Sequence, residues 1–388
     1  MVEWKKLGDV CCIYDGTHQT PHYMESGVKF VSVENIDNLY NTNKYISEKD
    51  YSDNYKNKPR KGDVLMTRIG DVGRCAIITK DEPIAYYVSL ALLRPKKEEI
   101  FCSYLKHLLE SRTGRIELRK RTLLTAVPLK INLGEIGKIK IPIPSLSEQN
   151  RIVGILDTFT DSIENLKQQI AQRRKQYEFY RDQLLDLEGK EGVEMKTLGE
   201  ICNLKGDYGI SASSKPFDGI CRYIRITDIT DSGSLNDDVV SADYNKPVKE
   251  ALKEGDILFA RTGATVGKTL LFHKEYGECL FAGYLIRYRI KTMLALPKFV
   301  FHFAHSNNYY KWVKANLVEG AQPNISAQKY NSLQIPLPPL SEQQRIVSIL
   351  DTFEASISNL EAQLAQRQKQ YEYYRNKLLS FGNGDGES

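Results

Sequence analysis

The chain has few of the features that mark a membrane protein, an exported protein or a catalyst. Its 388 residues contain no apolar run of membrane-spanning length and no basic-then-apolar leading segment, so the expected compartment is the cytoplasm, with no membrane partner. Seven cysteines (Cys11, Cys12, Cys75, Cys102, Cys202, Cys221 and Cys279) are scattered without a C-x-x-C pair. That pattern argues against a zinc ribbon or a disulfide framework and leaves reduced thiols. Excess charge is also lacking: 54 Lys and Arg against 49 Asp and Glu give a formal +5, compatible with a polyanionic partner but too mild to indicate one.

Catalytic motifs are missing too. Amino-group methylation of a base needs a glycine-rich cofactor loop and an Asn/Asp-Pro-Pro-aromatic tetrad, but Pro338-Pro339 is flanked by Leu337 and Leu340. There is no H-E-x-x-H, no G-x-S-x-G and no acidic cluster with nuclease spacing. Gly263-Ala264-Thr265-Val266-Gly267-Lys268-Thr269 is one residue short of a phosphate loop, and Gly70-Asp71-Val72-Gly73-Arg74 is shorter still. Each reads as a tight turn presenting backbone amides and one basic residue, which can hold a DNA phosphate. His18 and His22 are separated by Pro21 and lack a further ligand, and His302 and His305 read as a helix-face pair in a Phe-rich core. No catalytic, cofactor or metal site is expected in this chain.

What is present is a duplication. Residues 141–185 return as residues 335–379 with 31 of 45 positions identical. Each copy opens with a Pro-punctuated strand-like segment and a helix start signal, Ser147-Glu148 and Ser341-Glu342, where the serine can cap free amides. Apolar positions then alternate at spacings of four and three: Ile152, Leu156, Phe159, Ile163, Leu166, Ile170, Arg173 and Tyr177 in the first copy, Ile346, Leu350, Phe353, Ile357, Leu360, Leu364, Arg367 and Tyr371 in the second. The seam continues to Leu187 and Phe381, which is the heptad signature of a coiled coil. Both copies place an arginine in the seam, read as a register device or a contact to a partner. Each helix should span roughly 60 Å. Because a globular block tends to bring its ends together, the second helix should run back along the first, giving an antiparallel pair with a block at each end.

The blocks repeat more weakly. Residues 3–10 match 194–201, 30–36 match 223–229, and Gly62 to Gly70 matches Gly255 to Gly263 as G-D-[VI]-L-x-x-R-x-G. Short strands punctuated by turns precede one helical stretch in each block, Glu98 to Glu117 and Pro297 to Val313. The expected fold is α+β: a block over 1–146, a coiled-coil helix over 147–188, a second block over 189–340, a second helix over 341–381 and a disordered tail over 382–388, with approximate two-fold symmetry. Candidate nucleic-acid contacts are the polar and basic residues at turns: His18, Gln19, Thr20 and His22; Arg68, Gly70 and Arg74; Arg222 and Arg225; Arg261, Gly263 and Lys268; Gln322 and Asn324. Any one of them reads as solvated surface; their recurrence near matching landmarks makes the set a candidate.

Over its whole length this pattern resembles the specificity subunit of type I restriction-modification systems. The resemblance rests on the repeated L-S-E-Q-x-R-I-V-x-I-L-D helix starts at residues 146–157 and 340–351, the two G-D-[VI]-L-x-x-R-x-G turns, residues 15–21 (D-G-T-H-Q-T-P) and residues 222–229 (R-Y-I-R-I-T-D-I). It implies two target-recognition domains that each read half of a split site in double-stranded DNA. It also implies helices that set the spacer and dock two methyltransferase subunits, and restriction (motor-nuclease) subunits in a full complex. S-adenosylmethionine, ATP and Mg would belong to those partners. The first block departs from the pattern at Ala126-Val127-Pro128-Leu129-Lys130, where the second has Ala321-Gln322-Pro323-Asn324-Ile325. A coiled-coil scaffold without sequence-specific DNA binding is the alternative, and the salt dependence of DNA binding separates the two.

Overall fold

A computed structural model describes residues 2–244, 251–317 and 323–381. Two compact units emerge, one formed by Met1–Lys167 with Ala362–Ser388, the other by Gln168–Glu361. Each unit therefore contains one globular block, the first part of one long helix and the last part of the other. The expected contact residue Gln322 and the expected disordered tail over 382–388 lie outside the described residues.

In the first unit a four-stranded antiparallel sheet has the order Cys11–Asp15, Leu90–Pro95, Val64–Thr67, Cys75–Ile77. A smaller sheet pairs Val28–Val31 in parallel with Ile84–Tyr86. The second unit repeats the plan, with Cys202–Tyr208, Leu285–Ile290, Ile257–Ala260 and Thr269–Leu271 in the large sheet and Cys221–Ile224 parallel to Glu278–Phe281. The Pro-punctuated segments are strands that close each block on its own beginning: Lys140–Ile143 pairs with Glu3–Lys6, and Gln334–Leu337 with Glu194–Thr197. The aspartate of each G-D turn is buried and structural. Asp63 pairs with Arg94 at 2.7 Å and accepts from the amide of Arg60, while Asp256 pairs with Arg289 at 2.7 Å and accepts from the amide of Lys253.

Each helical stretch, expected as one helix, is two. Cys102–Glu110 and Arg112–Arg119 break at Ser111, whose hydroxyl accepts from the Gly114 amide; Pro297–Phe303 and Asn307–Ala315 break before Ser306, which caps Tyr309. Serine competes with the helical ladder and favours a new N-terminus. The turn is tight: a Cβ on Gly114 would fall 2.1 Å from the Leu108 carbonyl oxygen.

The long helices run Leu146–Leu185 and Leu340–Leu378 and pack together antiparallel. They start one residue ahead of Ser147 and Ser341, so neither serine caps. In the first copy Ser145 accepts from the Glu148 amide instead, and in the second the Pro339 carbonyl accepts from the Glu342 amide. The glutamates of the start motif pair with Arg151 and Arg345 one turn on, at 2.7 and 2.6 Å. The heptad positions Ile152, Leu156, Leu166, Ile170, Ile346 and Leu350 are buried; Phe159, Ile163, Arg173, Tyr177, Phe353, Ile357, Leu360, Leu364, Arg367 and Tyr371 are half-buried.

The seam arginines have a physical role. In the first unit Arg367 lies over the Phe159 ring at 5.6 Å, with Tyr374 stacked on the same ring at 5.3 Å. In the second, Arg173 lies over Phe353 at 6.0 Å and Tyr180 stacks on it at 5.4 Å. A half-buried guanidinium against a ring face keeps part of its hydration and gains the quadrupole attraction, so the seam avoids an unpaired buried charge.

A buried histidine fastens each block to both helices. His107 bonds Asp157 on one helix and the Tyr371 hydroxyl on the other, both at 2.8 Å; His302 bonds Asp351 at 3.3 Å and the Tyr177 hydroxyl at 3.2 Å. His305, expected beside it as a core residue, is buried and bonded to the Phe301 carbonyl, and burial pushes its pKa down to about 4.

Candidate nucleic-acid interface

The G-D-[VI]-L-x-x-R-x-G turns organise the candidate surface. In the first unit the amide of Gly70 donates to the Leu129 carbonyl at 2.8 Å, and the amide of Ile131 to the Arg68 carbonyl at 2.9 Å. In the second, Gly263 donates to the Pro323 carbonyl at 3.0 Å and Ile325 to the Arg261 carbonyl at 2.9 Å. The same backbone stitch thus joins the arginine turn to the segment following the helix pair. Both glycines have positive φ, 80° and 71°, which L residues rarely adopt.

These turns present fewer free amides than their glycine content suggests. Besides Gly263, the amides of Val266, Gly267 and Lys268 all donate within the protein, as do those of Gly70, Gly73 and Arg74.

The two units place different side chains on this common backbone. In the second, the Arg261 guanidinium lies over the Tyr208 ring at 5.0 Å and its Nε donates to Asn324 Oδ1 at 3.4 Å. Asn324 is exposed, and among the described residues no carboxylate pairs with Arg261. In the first, Arg68 forms an ion pair with Asp15, and His18 Nε2 bonds the other Asp15 oxygen at 3.0 Å. Gln19, Thr20 and His22 are exposed on the same loop. Arg68 is held by an acid, whereas Arg261 is free to meet one.

The remaining candidates are dispersed. Arg74 pairs with Asp37, which raises its pKa, and Lys268 pairs with Asp231 at 2.7 Å, which lowers that of the aspartate. Arg225 is clamped by buried Asp228 and by Asp238, both at 2.6 Å, and Arg222 donates to the Asn236 carbonyl at 2.7 Å. No hydrogen bond or ion pair among the described residues joins Arg222 or Arg225 to Arg261. Their motif, residues 222–229, serves the loop after the strand. Asp15 and Tyr208 were missed as partners: Asp15 could have been found from its place at the head of D-G-T-H-Q, whereas Tyr208 carries no local signal.

Among the described residues one group, His302, Asp351 and Glu354, brings potential metal-ligand atoms within 4.8 Å of one another. The Lys298 ammonium lies 2.8 Å from Asp351 and 3.7 Å from Glu354, so a cation already balances these carboxylates. All seven cysteines are free thiols. No helix among the described residues is long and apolar enough to cross a membrane.

A module used twice, with one backbone and two polar surfaces, defines the class of protein; comparison with known proteins gives the family. The family model for the type I restriction modification DNA specificity domain matches residues 1–173 and again 190–368, and the chain belongs to that family. It is 34% identical over 261 residues to the type I restriction enzyme EcoR124I/EcoR124II specificity subunit of Escherichia coli. It is 32% identical over 269 residues to a Haemophilus influenzae protein named as a type I restriction enzyme specificity subunit. These matches cover 63% and 65% of this chain and 63% and 66% of those relatives' length. The fold matches the crystal structure of a type I restriction-modification S subunit from M. genitalium, with a TM-score of 0.58 at 15% identity over 98% of this chain and 97% of that one.

Proposed function

We propose that this chain is the sequence-reading subunit of a type I restriction-modification complex, each block reading one half of a bipartite, asymmetric site in double-stranded DNA. One observation carries the reading: the same stitched arginine turn recurs in both units but presents Arg261, Asn324 and Tyr208 in one and Arg68, Asp15 and His18 in the other. A shared scaffold with different side chains suits two different half-sites, because the bases are distinguished by donor and acceptor patterns. The long helices set the distance between half-sites and dock two methyltransferase subunits, with restriction subunits in a full complex. S-adenosylmethionine, ATP and Mg act in those subunits.

The test is an exchange. Replacing residues 190–334 by the corresponding block of a relative is expected to change one half of the methylated motif and leave the other intact, read by sequencing methylated sites. A change in both halves overturns the assignment of one half-site to each block.

Arg261→Ala is expected to weaken specific DNA binding by about ten- to a hundredfold, the range of one good base or phosphate contact. Arg68→Ala should cost less, since Arg68 is already neutralised by Asp15. Titrations at several salt concentrations separate the roles. A uniform loss with a reduced salt slope marks a phosphate contact, and relaxed choice at one base marks direct readout.

A further inference from the structure

The first unit carries a feature that the reading above does not use. Thr122–Leu123 and Lys130–Ile131 form a short antiparallel hairpin, with Leu123 opposite Lys130. Its tip is apolar and open to solvent: Leu124 is 54% exposed and Val127 99%. Exposed apolar clusters of this kind mark contact surfaces.

The surroundings of the tip identify the partner's charge. Residues 112–130 contain six cations and one carboxylate, a net +5 in 19 residues, equal to the formal charge of the whole chain. Arg112, Arg115 and Arg119 recur at helical spacing on the helix leading into the hairpin. Arg115 lies 3.7 Å from Asp71, Lys120 pairs with Glu117 and Arg121 with Glu135, but among the described residues Arg119 and Lys130 have no carboxylate partner. Beside the tip a cleft of about 540 Å³ is lined by Gly70, Arg115, Arg119, Leu124 and Leu129. The hairpin is also fixed to the arginine turn, through the bond from Gly70 to the Leu129 carbonyl and the bridge of Ile69 with Lys130. An apolar tip inside a cationic frame complements a partner with phosphates outside and apolar groups within.

We propose that this hairpin enters the major groove of duplex DNA, with Val127 and Leu124 packed on thymine methyl groups and Arg119 and Lys130 on flanking phosphates. The major groove, about 12 Å wide, admits a two-stranded ribbon, whereas the minor groove, about 6 Å wide, admits one only when the DNA is bent or opened. The thymine C5-methyl is the one apolar group a base pair displays in the major groove, so Val127 becomes a specificity determinant for an A·T pair. This assignment rests on the DNA-reading function proposed above.

The experiment uses the full chain with its methyltransferase subunits on a duplex carrying the motif found by methylation sequencing. Each thymine of the half-site assigned to the first block is replaced in turn by deoxyuridine, which lacks only the methyl group. Wild-type binding is expected to weaken about fourfold at one or two positions, the factor for one methyl group withdrawn from burial. Val127→Ser should bind the thymine duplex about fourfold more weakly and no longer distinguish thymine from uracil there. At 99% exposure the side chain contributes nothing to the fold, so an unchanged melting temperature accompanies the effect. Equal wild-type binding to every uracil-substituted duplex overturns the proposal while leaving the DNA-reading function intact. So does a Val127→Ser loss that is the same with thymine and uracil. Failure of the wild-type complex to prefer its motif over unrelated DNA overturns the DNA-reading function itself, and the hairpin assignment with it.

Discussion

Gln343→Leu is expected to destabilise the unit formed by Gln168–Glu361 by about 3 to 5 kcal/mol, the cost of leaving two or three buried backbone groups without partners. Gln343 is fully buried at the start of the second long helix. Its Oε1 accepts from the Leu296 amide at 2.9 Å, and its Nε2 donates to the Leu294 carbonyl at 3.1 Å and the Pro338 carbonyl at 2.9 Å. A leucine fills the space but offers no donor or acceptor, so the loop ahead of Pro297 and the strand ahead of the helix lose their common anchor. Gln149 does the same in the other unit, joining the Phe101 amide at 3.0 Å with the Glu99 and Pro144 carbonyls at 2.9 and 3.0 Å. The transition in a thermal scan should fall by roughly 10 °C for a unit of this size, while Gln344→Leu, at an exposed neighbouring position, should leave it nearly unchanged. Gln343→Glu refines the test. A carboxylate facing two carbonyls is stable there only when protonated, so its folded-state pKa rises above the unfolded value of about 4.3. Stability is then greatest below that pH and is lost as pH rises through the folded-state value. A Gln343→Leu variant that melts with the wild type would show that the helix start is anchored elsewhere.

The same motif shows what the sequence could and could not convey. That S-E-Q recurs was visible, and each helix start was placed within one residue and each end within three, because heptad periodicity and duplication are properties of the chain alone. The role of its glutamine was not, since two of its three partners in each unit lie 47 to 50 positions away. His107 and Tyr371 are 264 positions apart, and no local pattern announces such a pair. The helix breaks at Ser111 and Ser306 were missed for a different reason: the apolar spacing continues across both serines, and only the serine caps interrupt the ladder. At the candidate interface the arginine turns were legible as repeats, but their stitch to residues 129–131 and 323–325 is a tertiary fact. That stitch decides that Arg261 stands with Asn324 and Tyr208, while Arg225 is held by its own acids. Free amides in the glycine turns were inferred from composition, and composition does not record that the amides of the glycines themselves are bonded internally.

Deleting one heptad from each long helix, Asn165 to Ala171 with Asn359 to Ala365, is expected to shorten the spacer of the recognised motif by one to three base pairs or to abolish specific binding. The prediction rests on the proposal that the helices set the distance between half-sites. Seven residues at 1.5 Å rise remove roughly 10 Å, about three base pairs of B-DNA. Both seams stay in phase because a whole heptad is lost. The stacks of Arg367 on Phe159 and Arg173 on Phe353 lie outside the deleted residues, and each belongs to a single unit, so they can re-form and hold the register. Three base pairs also turn one half-site by roughly 100° about the DNA axis, since a helical turn takes about 10 to 10.5 base pairs. Twisting the DNA to compensate costs energy, so a spacer shortened by one or two pairs is a reachable compromise and a complete loss is the other expected result. The half-site sequences should not change, because the blocks that read them are untouched. Sequencing of methylated motifs in cells carrying the deletion decides the matter: full activity on the original spacer would remove the measuring role from the helices and leave them as a docking surface for the methyltransferase subunits.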